Sequence, residues 1–230
     1  MEHPSVAPAE AVRTQRLDSS SNELEAVLGQ GLAQLGLDAA ADSVDRWVKL
    51  AFLLERWSQR INLTGHRGVL AIAQRLLLEA AALNQVLPAA ATLTDLGSGA
   101  GIPGLPLAIC RPGSTIYLVE SRHRRHHFQR AAIRELELDN AVALLGRAEE
   151  LDVRPSDGVI SQAVARPELA LQWMRPWMAT SGWVAIATVP GVMTFSHPDL
   201  IEGCAFEYAA PGGPLRAVWI ARLAAPSMSI

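Results

Sequence analysis

A glycine-rich run, Asp95-Leu-Gly-Ser-Gly-Ala-Gly-Ile-Pro-Gly104, is the part of this sequence best suited to hold a ligand. It follows a short β-prone stretch and precedes an apolar stretch that Pro103 can open as a helix. In an open α/β sheet, ligands bind beyond the carboxyl ends of the strands, and glycines let the backbone approach them closely. The predicted cofactor-binding residues of this run are Asp95, Gly97, Gly99 and Gly101.

Two cofactors fit such a loop, and the acid at its start distinguishes them. Residues 99–104 match the dinucleotide pattern G-x-G-x-x-G, but Asp95 would place a like charge near the pyrophosphate. S-adenosylmethionine (SAM) instead carries an ammonium and a sulfonium group, which suit a carboxylate. The chain also has two tyrosines and a single lysine, which leaves little material for a hydride-transfer site. The sequence therefore favours SAM.

Acidic residues also follow the next two predicted strands. Glu120 ends the second strand, where a carboxylate can accept both ribose hydroxyls of an adenosine. Arg147-Ala-Glu149-Glu150 follows the third strand, and there the backbone and Glu149 can read the adenine edge. A solvated strand end and a solvated acidic turn are the alternatives at these two positions.

Ser121-Arg-His-Arg-Arg-His-His-Phe-Gln-Arg130 is the one strongly basic run, and Ser121 can cap a helix there. Helical spacing puts its side chains on two separate faces: Arg122, Arg125 and His126 on one, His123 and His127 on the other. Phosphate contacts from these side chains would position RNA, and a solvated helix face is the alternative. A metal at the second face lacks a third ligand, so we predict no metal site.

The elements that position these residues divide the chain into three parts. Residues 1–20 are rich in Pro, Ala and Ser without periodicity, which predicts a disordered tail. Residues 21–88 form a predicted helical N-terminal cap, with amphipathic helices that begin near Asn22, Asp42 and Val69. Residues 89–230 form the predicted cofactor-binding domain.

Strands and helices alternate from residue 92 onward. We predict strands at 92–96, 115–120, 140–145, 157–161, 182–188, 203–209 and 216–223. Helices are predicted between them at 103–110, 121–136 and 167–179. This alternation predicts an α/β fold with a mainly parallel seven-stranded sheet covered by helices on both faces.

Composition excludes several other classes of protein. Half of the residues are apolar, which is too many for a disordered chain. The net charge of −3 argues against non-specific nucleic-acid binding by the whole molecule. Arg75, Glu79 and Pro88 interrupt the most apolar region, so we predict no membrane span. Cys110 and Cys204 are far apart, which indicates reduced thiols in a cytoplasmic protein.

The glycine-rich run, continued through Leu-Pro-Leu-Ala-Ile109, resembles the cofactor loop of the bacterial small-subunit ribosomal RNA methyltransferase G family, also called glucose-inhibited division protein B. Three further segments are similar in order and spacing: Trp57-Ser-Gln-Arg-Ile-Asn62-Leu-Thr64, Arg147-Ala-Glu-Glu150 and Asp157-Gly-Val-Ile-Ser161. The likeness covers about residues 44–191. It implies the class I SAM-dependent methyltransferase fold, which is Rossmann-like, and methylation of guanine N7 in 16S rRNA.

The resemblance also implies site residues. The family's cofactor positions correspond to Gly97, Ile102, Ala148 and Glu149. The expected contacts to the RNA substrate are Asn62, Arg75, Gln162 and Arg166. We name no catalytic acid or base, because guanine N7 has a lone pair and no proton and can attack an aligned SAM methyl group directly.

Three positions depart from the family pattern near the open end of the sheet. The family has Arg-His, Arg-Ala and Lys-Gly where this chain has Arg75-Leu76, Gln162-Ala163 and Pro190-Gly191. Each departure removes a polar side chain that can carry positive charge. The departures leave open a small-molecule nitrogen acceptor, or a non-catalytic remnant that still binds SAM and RNA.

The sequence as a whole predicts a cytoplasmic SAM-dependent methyltransferase. Its expected partner is 16S rRNA, free or in the small ribosomal subunit. We expect the chain to be a monomer that does not associate with a membrane.

Overall fold

One seven-stranded sheet forms the centre of the fold within residues 7–162, 167–191 and 203–222, which the computed structural model describes. Its strands are β1 (Thr92–Leu96), β2 (Thr115–Glu120), β3 (Ala141–Leu145), β4 (Ser156–Ser161), β5 (Met178–Thr188), β6 (Cys204–Tyr208) and β7 (Arg216–Arg222). The strand order is β3-β2-β1-β4-β5-β7-β6. Strands β1 to β5 run parallel, and β7 lies antiparallel between β5 and β6. The predicted sheet is confirmed.

The order of the strands reverses at β1. From β1 the chain moves outward to β2 and β3, and then returns to pair β4 with the other side of β1. Leu96, near the carboxyl end of β1, pairs with Val119 on one side and Ser161 on the other. The segments that come after these strands therefore meet at one edge, which is where open α/β sheets bind ligands.

Helices cover both faces of the sheet. They are α1 (Ala7–Gln34), α2 (Ala41–Ser58), α3 (Val69–Ile72), α4 (Leu78–Val86), α5 (Gly104–Cys110), α6 (His123–Glu135) and α7 (Pro167–Met174). The larger apolar cluster joins the N-terminal helices to one face, with Leu28, Leu54 and Leu118 all buried. On the other face, Met174 and Trp177 pack in a second cluster with Val159 of β4.

Helix α1 begins at Ala7, so residues 7–20 are helical where the sequence predicted a disordered tail. The prediction relied on an apolar period, and this segment has none before Leu24. It is instead rich in Ala, Glu, Gln and Arg, which are strong helix formers. Pro8 falls in the first turn, where proline is tolerated. Intrinsic propensity therefore accounts for helical residues that no apolar period marks.

The helix predicted at 167–179 is shorter than expected. It ends at Met174, and a 3₁₀ turn, Arg175–Trp177, leads directly into β5 at Met178. Pro176 explains the stop, because proline in a helix interior removes a hydrogen bond and clashes with the preceding turn. Strand β5 consequently starts four residues before the predicted position at Gly182.

A π-helical turn, Ala73–Leu77, joins α3 to α4 within the segment predicted as one helix. Ile72 and Leu77, five residues apart, are both fully buried. In an uninterrupted α-helix the residue one turn after Ile72 would be Leu76. Here Leu76 is only half-buried, so the wider turn places its neighbour Leu77 in the core and leaves Leu76 at the margin.

The stretch from Val69 to Val86 is long and apolar enough to cross a membrane by length and composition, and it is one such helix among the described residues. Of this stretch, 44% is buried inside the fold. A helix in the core of a folded domain passes the same test, so the finding carries little weight against the prediction of no span.

Helix α1 lies so close to α4 that Gly31 has no room for a side chain. A Cβ at Gly31 would lie 2.6 Å from Cδ1 of the buried Leu78, whereas a Cβ at Gly29 would meet only Val44 at 3.9 Å. We expect Gly31→Ala to destabilise the fold by about 1–3 kcal/mol through overpacking, offset in part by the helix propensity of alanine.

Gly29→Ala is the matched control, and we expect it to stabilise the fold by up to about 1 kcal/mol. Urea unfolding measures both free energies. Equal effects of the two substitutions would contradict the close approach of α1 and α4.

Candidate functional site

The glycine-rich run turns sharply after β1, at the point where the strand order reverses. Gly97, Gly99 and Gly101 have φ angles of 72°, 56° and 71°, which lie in the left-handed region that favours glycine. The N–H groups of Gly97 and Ser98 both donate to the carbonyl of Val119, at 2.9 and 3.0 Å. These bonds hold the run against β2 and leave Gly97 exposed.

Asp95 supports the run from inside the fold. The residue is 2% exposed, and its Oδ2 accepts a bond from the N–H of Gly104 at 3.0 Å. A Cβ at Gly104 would lie 2.9 Å from that oxygen and would overlap Leu118, so this close approach requires glycine. Burial raises the pKa of Asp95 to about 7, the Gly104 bond opposes the rise, and the nearby Glu120 adds to it.

A contact between Asp95 and a bound cofactor stays a prediction, because the carboxylate is buried beneath the glycine-rich run. The Asp95 side chain lines neither of the cavities at this edge of the sheet. Asp95 lies on the same face of β1 as Leu93, and α5 covers that face. The sequence shows that Asp95 comes just before the end of a strand, but it does not show which face is covered.

Glu120 joins the glycine-rich run to the start of α6. It is 4% exposed, and its Oε2 accepts from the N–H of Gly99 at 2.9 Å. Its Oε1 accepts from the N–H of Arg122 at 2.7 Å, and Nη1 of Arg125 lies 4.0 Å from Oε2. Each carboxylate oxygen has two lone pairs, so both retain capacity to accept from a ligand hydroxyl.

Helix α6 differs from the prediction at its start and on one face. Arg122 is its N-cap and no side chain caps it, so the expected cap at Ser121 is wrong; the Glu120 carboxylate binds the Arg122 N–H instead. His126 is buried with Nε2 3.4 Å from the carbonyl of Ala143. Burial lowers the pKa of His126, so it does not share an exposed cationic face with Arg125.

Gln129 is a functional candidate that sequence reasoning missed. It is fully buried, and its Nε2 donates to Oγ of Ser98 at 2.8 Å and to the carbonyl of Gly99 at 2.9 Å. Its Oε1 has no partner among the described residues. The one available signal for its role was its position. Gln129 is a polar residue that lies four positions after Arg125, on the same face of α6 as the buried Ala132.

Two adjoining cavities open at this edge and share Gly97 and Ser121 as walls. The larger, of about 470 Å³, is bounded by the glycine-rich run, Glu120, the start of α6 and the segment that comes after α2. The smaller, of about 150 Å³, is bounded by the turn after β3 and by α7. We refer to these two adjoining cavities together as the cleft.

The predicted cofactor residues divide between these cavities. The residues that line the cleft are Gly97, Gly99, Ile102 and Glu120 in the larger part and Ala148 and Glu149, again with Gly97, in the smaller part. Gly101 is buried, and Leu105 occupies the space where its side chain would be. Gly101 therefore allows the positive φ angle of the turn and does not border the cleft.

The predicted substrate residues are less well placed. Gln162 lines the larger cavity. Asn62 and Arg75 are exposed and line neither cavity, and their neighbours Leu63, Thr64 and Leu76 are the walls instead. Arg166 lies outside the described residues, and Pro190 is exposed beyond β5. Among the described residues, only Gln162 of the predicted substrate contacts therefore borders the cleft.

Apolar side chains of α7 form the wall of the smaller cavity that the sequence did not reveal. Ala170, Trp173 and Met174 line it, and the indole N–H of Trp177 donates to the carbonyl of Ala148 at 3.1 Å. That bond fixes the turn after β3 opposite α7. Trp57, which packs against the larger apolar cluster, borders a different cavity.

We expect Asp95 to make stability depend on pH. Its pKa rises from an ordinary 3.8 to about 7, so between these values the folded state binds more protons than the unfolded state. Stability should fall as pH rises from about 4 to about 7 and then level off. Asp95→Asn keeps an acceptor for Gly104 and cannot ionise. It should flatten this slope and exceed the wild type at pH 8 by on the order of 1–4 kcal/mol.

Thermal unfolding across this pH range provides the measurement. The exposed Asp139 supplies the control substitution, Asp139→Asn, which should leave the slope unchanged. An Asp95→Asn variant with the wild-type slope would show that another group titrates.

Known proteins are similar to this chain in both sequence and fold. Residues 44–188 match the family model described as rRNA small subunit methyltransferase G. The chain is 35% identical over 163 residues to the ribosomal RNA small subunit methyltransferase G of Chromohalobacter salexigens, across 70% of this chain and 78% of that protein. It is 45% identical over 128 residues to the protein of that name from Stenotrophomonas maltophilia, across 55% of this chain and 58% of that protein.

A solved SAM-dependent methyltransferase from Aquifex aeolicus shares the fold. Its TM-score is 0.50 at 13% identity, across 66% of this chain and 93% of that one. The sheet and its covering helices thus form a class I SAM-dependent methyltransferase fold. Because the family model spans more than half of the residues, the chain belongs to the rRNA small subunit methyltransferase G family.

Proposed function

We propose that this chain transfers the methyl group of SAM to N7 of a guanine in 16S rRNA. The observation that carries the proposal is the cleft at the switch point of the sheet, bounded by the glycine-rich run, Glu120 and the turn after β3. The larger cavity alone, about 470 Å³, lies within the roughly 300–1,000 Å³ typical of ligand sites. Membership of the family supports the reaction, and the residues support its location.

The smaller cavity suits the adenine ring of SAM. Trp173 and Met174 offer apolar surfaces on one side, and the backbone at Ala148 and the side chain of Glu149 offer polar groups on the other. The ribose then lies near Glu120, whose oxygens still accept bonds. The methionine end reaches the glycine-rich run, where Gly97 borders both cavities.

The remaining part of the larger cavity suits the acceptor base. Leu63 and Leu76 provide apolar surface, and Gln162 provides an amide that can both donate and accept. A guanine presents donors and acceptors on its edges, so a neutral amide can orient it without an ion pair. In our proposal Gln162 substitutes in this role for the cation expected from the family pattern.

The proposed reaction needs alignment more than it needs a catalytic group. Guanine N7 attacks the methyl carbon, the carbon–sulfur bond breaks, and the sulfur leaves as a neutral thioether. No proton is removed from N7, so no general base is required. The chain's residues hold donor and acceptor in line and exclude water, which is a proximity effect.

The departures at Leu76 and Gln162 also favour a second candidate, an N-methyltransferase of a small molecule. Both residues line the larger cavity, and neither carries a charge that would attract a phosphate. For either substrate we propose a cytoplasmic monomer, whose described residues line both cavities of the cleft. The two candidate functions differ in the molecule that accepts the methyl group, and an assay of methyl transfer to RNA distinguishes them.

Gly99→Val should weaken SAM binding by at least about tenfold. Gly99 has a φ of 56°, which a β-branched residue adopts only with roughly 1–3 kcal/mol of strain, and its N–H must stay beside Glu120. Gly113→Ala is the control, because a Cβ there meets nothing within 4 Å. Calorimetry with SAM measures both; equal affinity in the two variants would place the cofactor elsewhere.

Single-turnover transfer from radiolabelled SAM to 16S rRNA and to small subunits tests the reaction. We expect weak but real transfer by the wild type, and a higher rate for Gln162→Arg, since a charge-assisted bond is about twice as strong as a neutral one. Cleavage by aniline after borohydride reduction identifies 7-methylguanosine. Tight SAM binding without transfer to any RNA would favour the small-molecule acceptor or a non-catalytic remnant.

A further inference from the structure

A second basic surface lies on α6 and shares no wall with the cofactor cleft. His127, Arg130 and Arg134 recur at steps of three and four residues, which puts them on one face of the helix, and all three are exposed. Trp57, near the end of α2, lies beside them. These four residues and Ala131 line a cavity of about 440 Å³, which we call the α2–α6 groove.

Trp57 is the aromatic wall of the α2–α6 groove. Its ring meets Phe128 edge-on, with 5.7 Å between centroids and 68° between planes, and Phe128 is fully buried. The buried ring holds Trp57 in place, although Trp57 itself is half-exposed. Trp57 also lines a neighbouring cavity of about 210 Å³ with Arg56 and Arg60. A fixed indole with open space beside it offers a face on which a base can stack.

Most of the arginines that line the α2–α6 groove and the neighbouring cavity are unpaired. Arg56 pairs with Glu135 at 3.2 Å. In the part of the chain that the structure describes, no carboxylate pairs with Arg60, Arg130 or Arg134. Three unpaired guanidinium groups beside an indole match the phosphates and bases of a single-stranded nucleic acid.

We infer that the α2–α6 groove binds a single-stranded segment of the RNA substrate, with phosphates at its unpaired arginines and a base stacked on Trp57. The inference rests on the proposed function, because the RNA bound here is the one whose guanine enters the cleft. Arg122 and Arg125 border the cleft at the start of α6, whereas Arg134 lies near its end. The helix separates these ends by on the order of 20 Å, so the groove holds nucleotides beyond the one that is methylated.

Two double variants with the same loss of charge test the inference. Arg130→Gln/Arg134→Gln removes two arginines of the groove. Arg154→Gln/Arg222→Gln removes two exposed arginines of the β3–β4 connection and the end of β7. Affinity for 16S rRNA is measured over a series of salt concentrations. We expect the groove variant to bind about 25-fold more weakly at 0.1 M salt, with a salt slope smaller by about 1.4, because two single-strand phosphate contacts are lost.

The control double variant should keep the wild-type affinity and slope. Trp57→Leu should lower RNA affinity by about fivefold or more without changing the slope, since stacking releases no counterions. Trp57→Phe keeps a ring and should retain most of the affinity. Calorimetry with SAM on each variant, expected to match the wild type, confirms that the fold is intact.

Methyl transfer separates failure of this inference from failure of the proposed function. The groove variant should need more RNA for half-maximal transfer and reach the wild-type rate at saturation. Absence of transfer by the wild type overturns the proposed function, while the RNA affinities still decide the groove. Equal affinity and slope in the groove and control variants overturn the inference. So does a groove variant that loses binding to poly-glutamate but keeps its RNA affinity, which would assign the surface to an acidic protein.

Discussion

The carboxylate of Glu120 is the contact on which the arrangement of the site depends. One of its oxygens accepts the N–H of Gly99 and the other accepts the N–H of Arg122, so a single side chain joins the glycine-rich run to α6. Gln129 reinforces the joint from α6 by donating to the carbonyl of Gly99. Strand β2, the loop after β1 and α6 are thus connected before any ligand binds, and the borders of the cleft result from that connection.

The sheet was largely predictable from sequence because its signals are local. Thr92-Leu-Thr-Asp-Leu96 is β-prone and is followed by glycine, and the structure has β1 with those bounds. Propensity without periodicity was harder to interpret. For that reason the sequence placed the first helix near Asn22, whereas α1 begins at Ala7. Pro176 was a visible stop signal within the predicted helix at 167–179, and the helix indeed ends before it.

The site was predictable at the level of segments but not of every side chain. Glu120 and Asp95 both lie at the ends of predicted strands, yet Glu120 borders the cleft while α5 covers Asp95. Which face a helix covers depends on tertiary packing, and one strand's sequence does not encode it. The part played by Gln129 likewise depends on the meeting of α6 with a loop some 30 positions earlier in the chain, which no local pattern reveals.

The π-helical turn at Ala73–Leu77 has a consequence for how such a site can diversify. Each residue added to or removed from a helix rotates the remainder of that helix by about 100°. Deleting one residue from the wide turn would restore a continuous α-helix and carry Leu76 away from the cleft, while the core residues on either side could keep their places. Insertions and deletions of single residues, and not substitutions alone, therefore offer a route by which evolution can alter the surface presented to a substrate.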